Sequence, residues 1–139
     1  VDVARKILIL IRESGVSMEM EDIENNCFLP EECMNTTNND DFFKSLLKNE
    51  SHFNQLLAEA KEKDSRIKFV AQYDNGKASV GLQFIPKESP FYNLEGKDNI
   101  VQFFTERYVD QPLLIKGAGA GAAVTASGIF ADVIRIGNV

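Results

Sequence analysis

Two stretches of this chain carry residue types whose spacing could do chemistry. Asp2 and Lys6 lie four residues apart, directly ahead of the apolar run Ile7 to Ile11. On a helix that spacing puts a carboxylate and an ammonium on one face. Spacing alone describes a surface ion pair of little energetic consequence. The apolar run that follows predicts a mostly buried helix, however, and a lysine beside such a helix is partly desolvated. Desolvation lowers a lysine's pKa and suits it to proton transfer. The second stretch is Gly117-Ala-Gly-Ala-Gly121-Ala-Ala-Val-Thr125. A glycine-rich turn between a strand and a helix lets a ligand reach the backbone at the helix N-terminus, as in phosphate cradles. Its G-x-G-x-G spacing is not a dinucleotide fingerprint. Only 18 residues follow Gly121, with no second strand among them, and no acidic residue about 20 positions on to hold a ribose. The same small residues would also permit close packing of a final helix, so the turn alone leaves both readings open.

The remaining candidates have plainer readings. His52 is the single histidine; without a Ser/Asp or Cys/His partner motif it is expected to be an exposed helix residue. Cys27 and Cys33 have no Cys/His partners at zinc spacing and read as reduced packing and loop thiols. The acidic run Glu19 to Glu24 lacks the EF-hand pattern and its glycine, so it reads as a solvated face. Phe42-Phe43, Phe91-Tyr92 and Phe103-Phe104 are core or interface aromatics.

The elements that must position these residues follow from periodicity and punctuation. Val3 to Glu13 is predicted as a helix that ends at Ser14-Gly15, with Val3, Ile7, Leu10 and Ile11 as its buried stripe. Ile23 to Leu29 reads as a short strand stopped by Pro30, and Pro30 to Asn39 as a loop. Asn39 or Asp40 caps the next helix, which would bury Phe42, Phe43, Leu46 and Leu47. Another helix runs from about Ser51 to Lys63, with Phe53, Leu56, Leu57 and Ala60 inward. Ile67 to Tyr73 and Ala78 to Phe84 form a hairpin around Asn75-Gly76, a pair that supplies the positive φ angles of a type I′ turn. Asn99 to Tyr108 and Pro112 to Lys116 read as two strands, and Ala122 to Ile136 as a closing helix. Strands that cluster after helices indicate an α+β fold with a mixed or mostly antiparallel sheet and helices on one face.

Composition bounds the function. The 139 residues are 44% hydrophobic and 26% charged, ordinary globular usage for one domain with its own core. The net charge is −6 and no basic patch is visible along the sequence, which argues against nucleic acid as a partner. The longest apolar run is far short of the ~20 residues of a membrane span, and no signal peptide is read at the start. Two cysteines do not make a disulfide framework, so the expected compartment is the cytoplasm. A chain that opens at Val1 and passes at once into a helix looks like the back part of a longer protein.

Taken together, the two end motifs resemble one family. Asp2-Val-Ala-Arg-Lys6-Ile-Leu-Ile-Leu is similar to the end of the homoserine dehydrogenase signature, Asp-x-x-x-Lys on a helix. Ile115-Lys-Gly-Ala-Gly-Ala-Gly-Ala-Ala-Val-Thr-Ala-Ser-Gly-Ile-Phe-Ala-Asp132 is similar to that family's C-terminal glycine-rich turn and helix. Arg66 to Ala71 with the hairpin, Pro90 to Gly96, and Asn99 match in order and spacing, so the resemblance covers essentially the whole chain. It implies the catalytic and dimerisation portion of a homoserine dehydrogenase, residues 1–116, with 117–139 completing a cofactor domain that lies upstream. It also implies NADP- or NAD-dependent interconversion of aspartate 4-semialdehyde and L-homoserine, in the aspartate-derived route to threonine and methionine. Lys6 then matches the catalytic proton donor or acceptor, Asp2 the substrate-binding aspartate, and Gly121 a glycine that approaches the nicotinamide cofactor; no metal ligand is carried over. The implied partners are a homodimer through the strands Ile67–Phe84 and Asn99–Lys116, and a fused aspartate kinase as in bifunctional members. Some members carry a His where this chain has Ser89, so a catalytic role for that loop is not carried over. The competing reading is a non-catalytic dimerisation or small-molecule regulatory module of a larger enzyme.

Overall fold

The computed structural model describes residues 1–138 and divides into two compact units, Val1–Tyr92 and Asn93–Val139. In the first unit the hairpin sets the frame. Asn75 and Gly76 both take positive φ, 47° and 80°, and close β2 (Ser65–Asp74) onto β3 (Lys77–Pro86) in unbroken antiparallel register from Asp74↔Lys77 to Ser65↔Pro86. The short β1 (Ile23–Asn26) adds in parallel to the other edge of β3, giving the order β1-β3-β2. Gly81 admits this edge: a Cβ there would lie 2.8 Å from the Asn26 Cβ.

Alternation along β2 and β3 puts Ala71, Tyr73, Ala78 and Val80 on one face. Helix α1 (Asp2–Glu13) lays Ala4, Leu8 and Ile11 against them, and Met18 and Ile23 complete the cluster. The helix stops as its sequence predicts. Gly15 takes φ +90°, its N–H donates to the Arg12 carbonyl at 2.9 Å and that of Val16 to the Ile11 carbonyl, a Schellman ending. Farther along the same face Phe69 meets Phe28 edge to face, and Lys63, just past α4 (Glu50–Glu62), lies 4.5 Å from the centre of the Phe84 ring. The fold is α+β with helices on one face of a small mixed sheet.

Several local expectations are corrected. Helix α1 is not mostly buried: Leu10, predicted inward, and Ile9 are exposed. A five-residue apolar run goes round more than a full turn, and a three-stranded sheet covers one side. The predicted loop after Pro30 contains a helical turn, α2 (Glu31–Met34), which buries Cys33. Helix α3 (Asn39–Lys48) is capped one residue earlier than predicted, by the Asn38 side chain accepting from the Asp41 N–H. Its buried residue is Ser45, whereas Phe43 and Leu47 are exposed, as is Leu57 on α4. Strand β1 ends at Asn26, short of Leu29.

The second unit is a hairpin and a helix. Strand β4 (Asp98–Thr105) pairs antiparallel with β5 (Tyr108–Ala118). Tyr108 therefore opens the second strand instead of closing the first, and that strand is longer at both ends than predicted. Helix α5 (Ala122–Gly137) follows the glycine-rich turn as expected, and none of its described residues is buried. No helix among the described residues is long and apolar enough to cross a membrane.

Candidate functional site

Asp2 and Lys6 meet in the first turns of α1. The Lys6 ammonium is 2.9 Å from an Asp2 carboxylate oxygen, with the side chains 62% and 78% exposed. The predicted desolvation of Lys6 by a buried helix is therefore absent: α1 turns Ala4, Leu8 and Ile11 to the sheet and Lys6 away from it. The hydrogen bond from Lys6, and then its charge, hold the Asp2 carboxyl below its ordinary value. Asp2, Lys6 and Leu10 succeed one another at four-residue intervals, with Ile9 beside them, so they form one outward stripe. An ion pair thus sits next to two exposed aliphatic side chains on a helix fixed from behind by the core.

Gly121 belongs to the other unit. It takes φ +134° and ψ 148°, a conformation open to glycine alone, and is the first residue ahead of α5. No side chain caps that helix, and a Cβ built on Gly121 would meet nothing within 4 Å. The turn therefore offers bare backbone and free first-turn N–H groups, an arrangement open to close approach by an anionic group.

The other sequence candidates are structural. His52 is half-buried, not exposed as predicted: its Nε2 is 2.9 Å from the Phe28 carbonyl and its ring stands edge-on to Phe53. Cys27 is an exposed free thiol, and Cys33 is buried against the Ser45 hydroxyl at 3.3 Å. Glu19 and Asp22 form a reciprocal cap on the turn Met20–Asp22, and Glu19 pairs with Arg12 at 2.5 Å. No group of three or more His, Cys, Asp or Glu among the described residues is placed to hold a metal ion. Ser89 shapes the loop after β3, accepting from the Phe91 N–H on its hydroxyl and from the Tyr92 N–H on its carbonyl. Arg66 holds that loop, donating to the Tyr92 carbonyl at 3.2 Å with its guanidinium 4.5 Å from the centre of the Tyr92 ring. A shallow apolar cleft on α3 and α4, lined by Phe43, Leu46, Leu47, Glu50 and Phe53, contains none of the candidate residues.

A sequence profile described as Homoserine dehydrogenase matches residues 1–134. The chain belongs to the homoserine dehydrogenase family. It is 38% identical over 139 residues to a bifunctional aspartokinase/homoserine dehydrogenase 2, chloroplastic, of Arabidopsis thaliana, covering 99% of this chain and 15% of that protein. It is also 38% identical over 138 residues to the homoserine dehydrogenase of Schizosaccharomyces pombe, covering 97% of this chain and 37% of that protein. A crystal structure of a Candida auris protein of unknown function aligns over 99% of this chain and 39% of its own, with a TM-score of 0.88 and 35% identity. The chain thus spans well under half the length of these homoserine dehydrogenase relatives.

Proposed function

We propose that this chain is the catalytic and dimerisation portion of a homoserine dehydrogenase that interconverts aspartate 4-semialdehyde and L-homoserine. The observation that carries the reading is the Asp2–Lys6 pair on the outward stripe of α1. Lys6 presents an ammonium able to donate a proton to the substrate's carbonyl oxygen as charge develops there, and to take one back in the reverse direction. Asp2 orients that ammonium and offers a carboxylate to the substrate's amino group. The exposed Ile9 and Leu10 fit a stripe that another part of the protein covers, and covering it would exclude water from the pair. NADP or NAD, bound mainly by an upstream domain, supplies the hydride. Gly121 and the open N-terminus of α5 give it a close backbone neighbour.

In this reading residues 1–116 serve catalysis and dimerisation, and residues 117–139 complete the cofactor domain. That functional partition differs from the compactness boundary after Tyr92. Two copies associate through Ile67–Phe84 and Asn99–Lys116. In the first unit the helices described above lie on one face of the sheet, which supports a partner on the opposite face, where Lys68, Val70, Gln72, Ser79 and Gln83 alternate with the core residues. Sedimentation of the full-length protein as a dimer at tens of micromolar is expected; a monomer overturns the dimer. A fused aspartate kinase is supported by the bifunctional relatives, and a reducing compartment such as the cytoplasm by the two free thiols.

The test is NADPH- and NADH-linked reduction of aspartate semialdehyde by the full-length protein, wild type against Lys6→Ala. Loss of orders of magnitude in rate at an unchanged melting temperature is expected. An unaffected variant moves proton transfer elsewhere. A cooperatively folded but inactive wild type favours the regulatory or dimerisation module. The 139-residue chain alone is expected to show no turnover.

A further inference from the structure

The second unit holds one close packing contact that neither the motifs nor the catalytic reading uses. The last rungs of its hairpin are Asn99↔Gly117 and Asp98↔Ala118, after which the chain leaves β5 at Gly119. A Cβ on Gly119 would lie 1.9 Å from Nδ2 of Asn99 and 2.7 Å from its Cγ. The Asn99 carboxamide therefore occupies the space that a Cβ on residue 119 would take, and as the tip of an exposed side chain it would be displaced by one. Carboxamide and turn also share an anchor: the Lys97 carbonyl accepts from the Gly119 N–H at 3.4 Å and from Asn99 Nδ2 at 3.5 Å. By contrast, a Cβ on Gly117 or on Gly121 would meet nothing within 4 Å. Among the three glycines of the turn, 119 is the one pressed by a side chain. Ala118 to Ala120 are exposed and α5 buries none of its described residues, so no core sets the path of this segment.

We propose that Asn99 is a positioning residue for the dinucleotide. Its carboxamide, packed on the Cα of Gly119, fixes the turn that presents Gly121 two residues later. The role rests on the reading of Gly121 given above. Asn99 has no titrating group and takes no part in proton or hydride transfer. It narrows the conformations of a segment rich in glycine, whose backbone freedom would otherwise have to be lost on binding.

The experiment is a double-mutant cycle in the full-length protein with Asn99→Ala, Gly119→Ala and the pair. Each variant is titrated with NADPH and NADH by fluorescence, and assayed with aspartate semialdehyde. Both single changes abolish the same contact, the second because an added methyl displaces the carboxamide. Each is expected to weaken dinucleotide affinity about tenfold, with KM for the dinucleotide rising in step and kcat moving less than about twofold. The double variant is expected to be no weaker than the weaker-binding single one, since contacting residues are not additive. Unchanged affinity with a lowered melting temperature makes Asn99 merely structural and overturns the proposal. Additive losses in the pair overturn it too, because the two residues then act separately. A wild-type protein without dinucleotide affinity overturns the homoserine dehydrogenase reading along with it, whereas wild-type binding with unaltered variants overturns this inference alone.

Discussion

The two units of this chain place candidate residues by different physics. In residues 1–92 a helix packs on a sheet, and Ala4, Leu8, Ile11, Ala78 and Val80 are all less than 9% exposed. Lys6 is held because the opposite side of its helix is locked into that core. In residues 93–138 the hairpin and α5 form from local rules alone: antiparallel pairing, a glycine at φ +134°, and an apolar helix whose Ile129, Phe130, Val133 and Ile134 remain exposed. A site built on a packed helix inherits its geometry from many contacts. One built on a glycine-rich turn without a core depends on few, which is the ground for the role proposed for the Asn99 carboxamide.

The sharpest way to break this contrast is to truncate one large apolar side chain in each unit in turn. Ile11→Ala should destabilise the chain by about 2–5 kcal/mol, the range for a fully buried aliphatic side chain cut back to Ala, read by urea denaturation. Phe130→Ala removes a larger side chain but one that buries little, and should shift the same transition by no more than about 0.5 kcal/mol. Equal effects would mean that α5 has a packing partner within this chain and that the contrast is false.

The smallest effect concerns the candidate pair. Asp2 has its folded-state pKa held below the ordinary 3.8, first by the hydrogen bond from Lys6 and then by its charge. A lowered carboxyl pKa contributes stability that is present above the unfolded value and lost as pH falls through the folded one. The pair is exposed, so solvent screens it. Asp2→Asn should therefore lower the melting temperature only slightly near neutral pH, and the difference from wild type should vanish well below pH 3.8. A difference that persists in acid would give Asp2 a packing role that its exposure denies. If Asp2 binds substrate as proposed, the same variant in the full-length protein should weaken substrate binding where folding does not suffer.

What the sequence alone determined is whatever has a local cause. Asn75-Gly76 dictated the hairpin and its register, because those two residues tolerate the required positive φ angles. Gly15 ended α1, the apolar segment 122–136 after the glycine-rich turn announced α5, and the spacing of Asp2 and Lys6 made them neighbours before any tertiary contact was known. The family was legible too, since its two end motifs are short and contiguous. Tertiary structure decided what periodicity leaves degenerate. The run Ile7 to Ile11 has apolar side chains all round the helix, and only the sheet selected Leu8 and Ile11 as the inner ones and left Ile9 and Leu10 outside. The turn at Glu31–Met34 is too short to announce itself by periodicity. The packing of Asn99 on Gly119 joins residues twenty positions apart through strand pairing. Local propensity is written residue by residue, whereas burial and long-range contact belong to the whole arrangement and exist only once the elements have met.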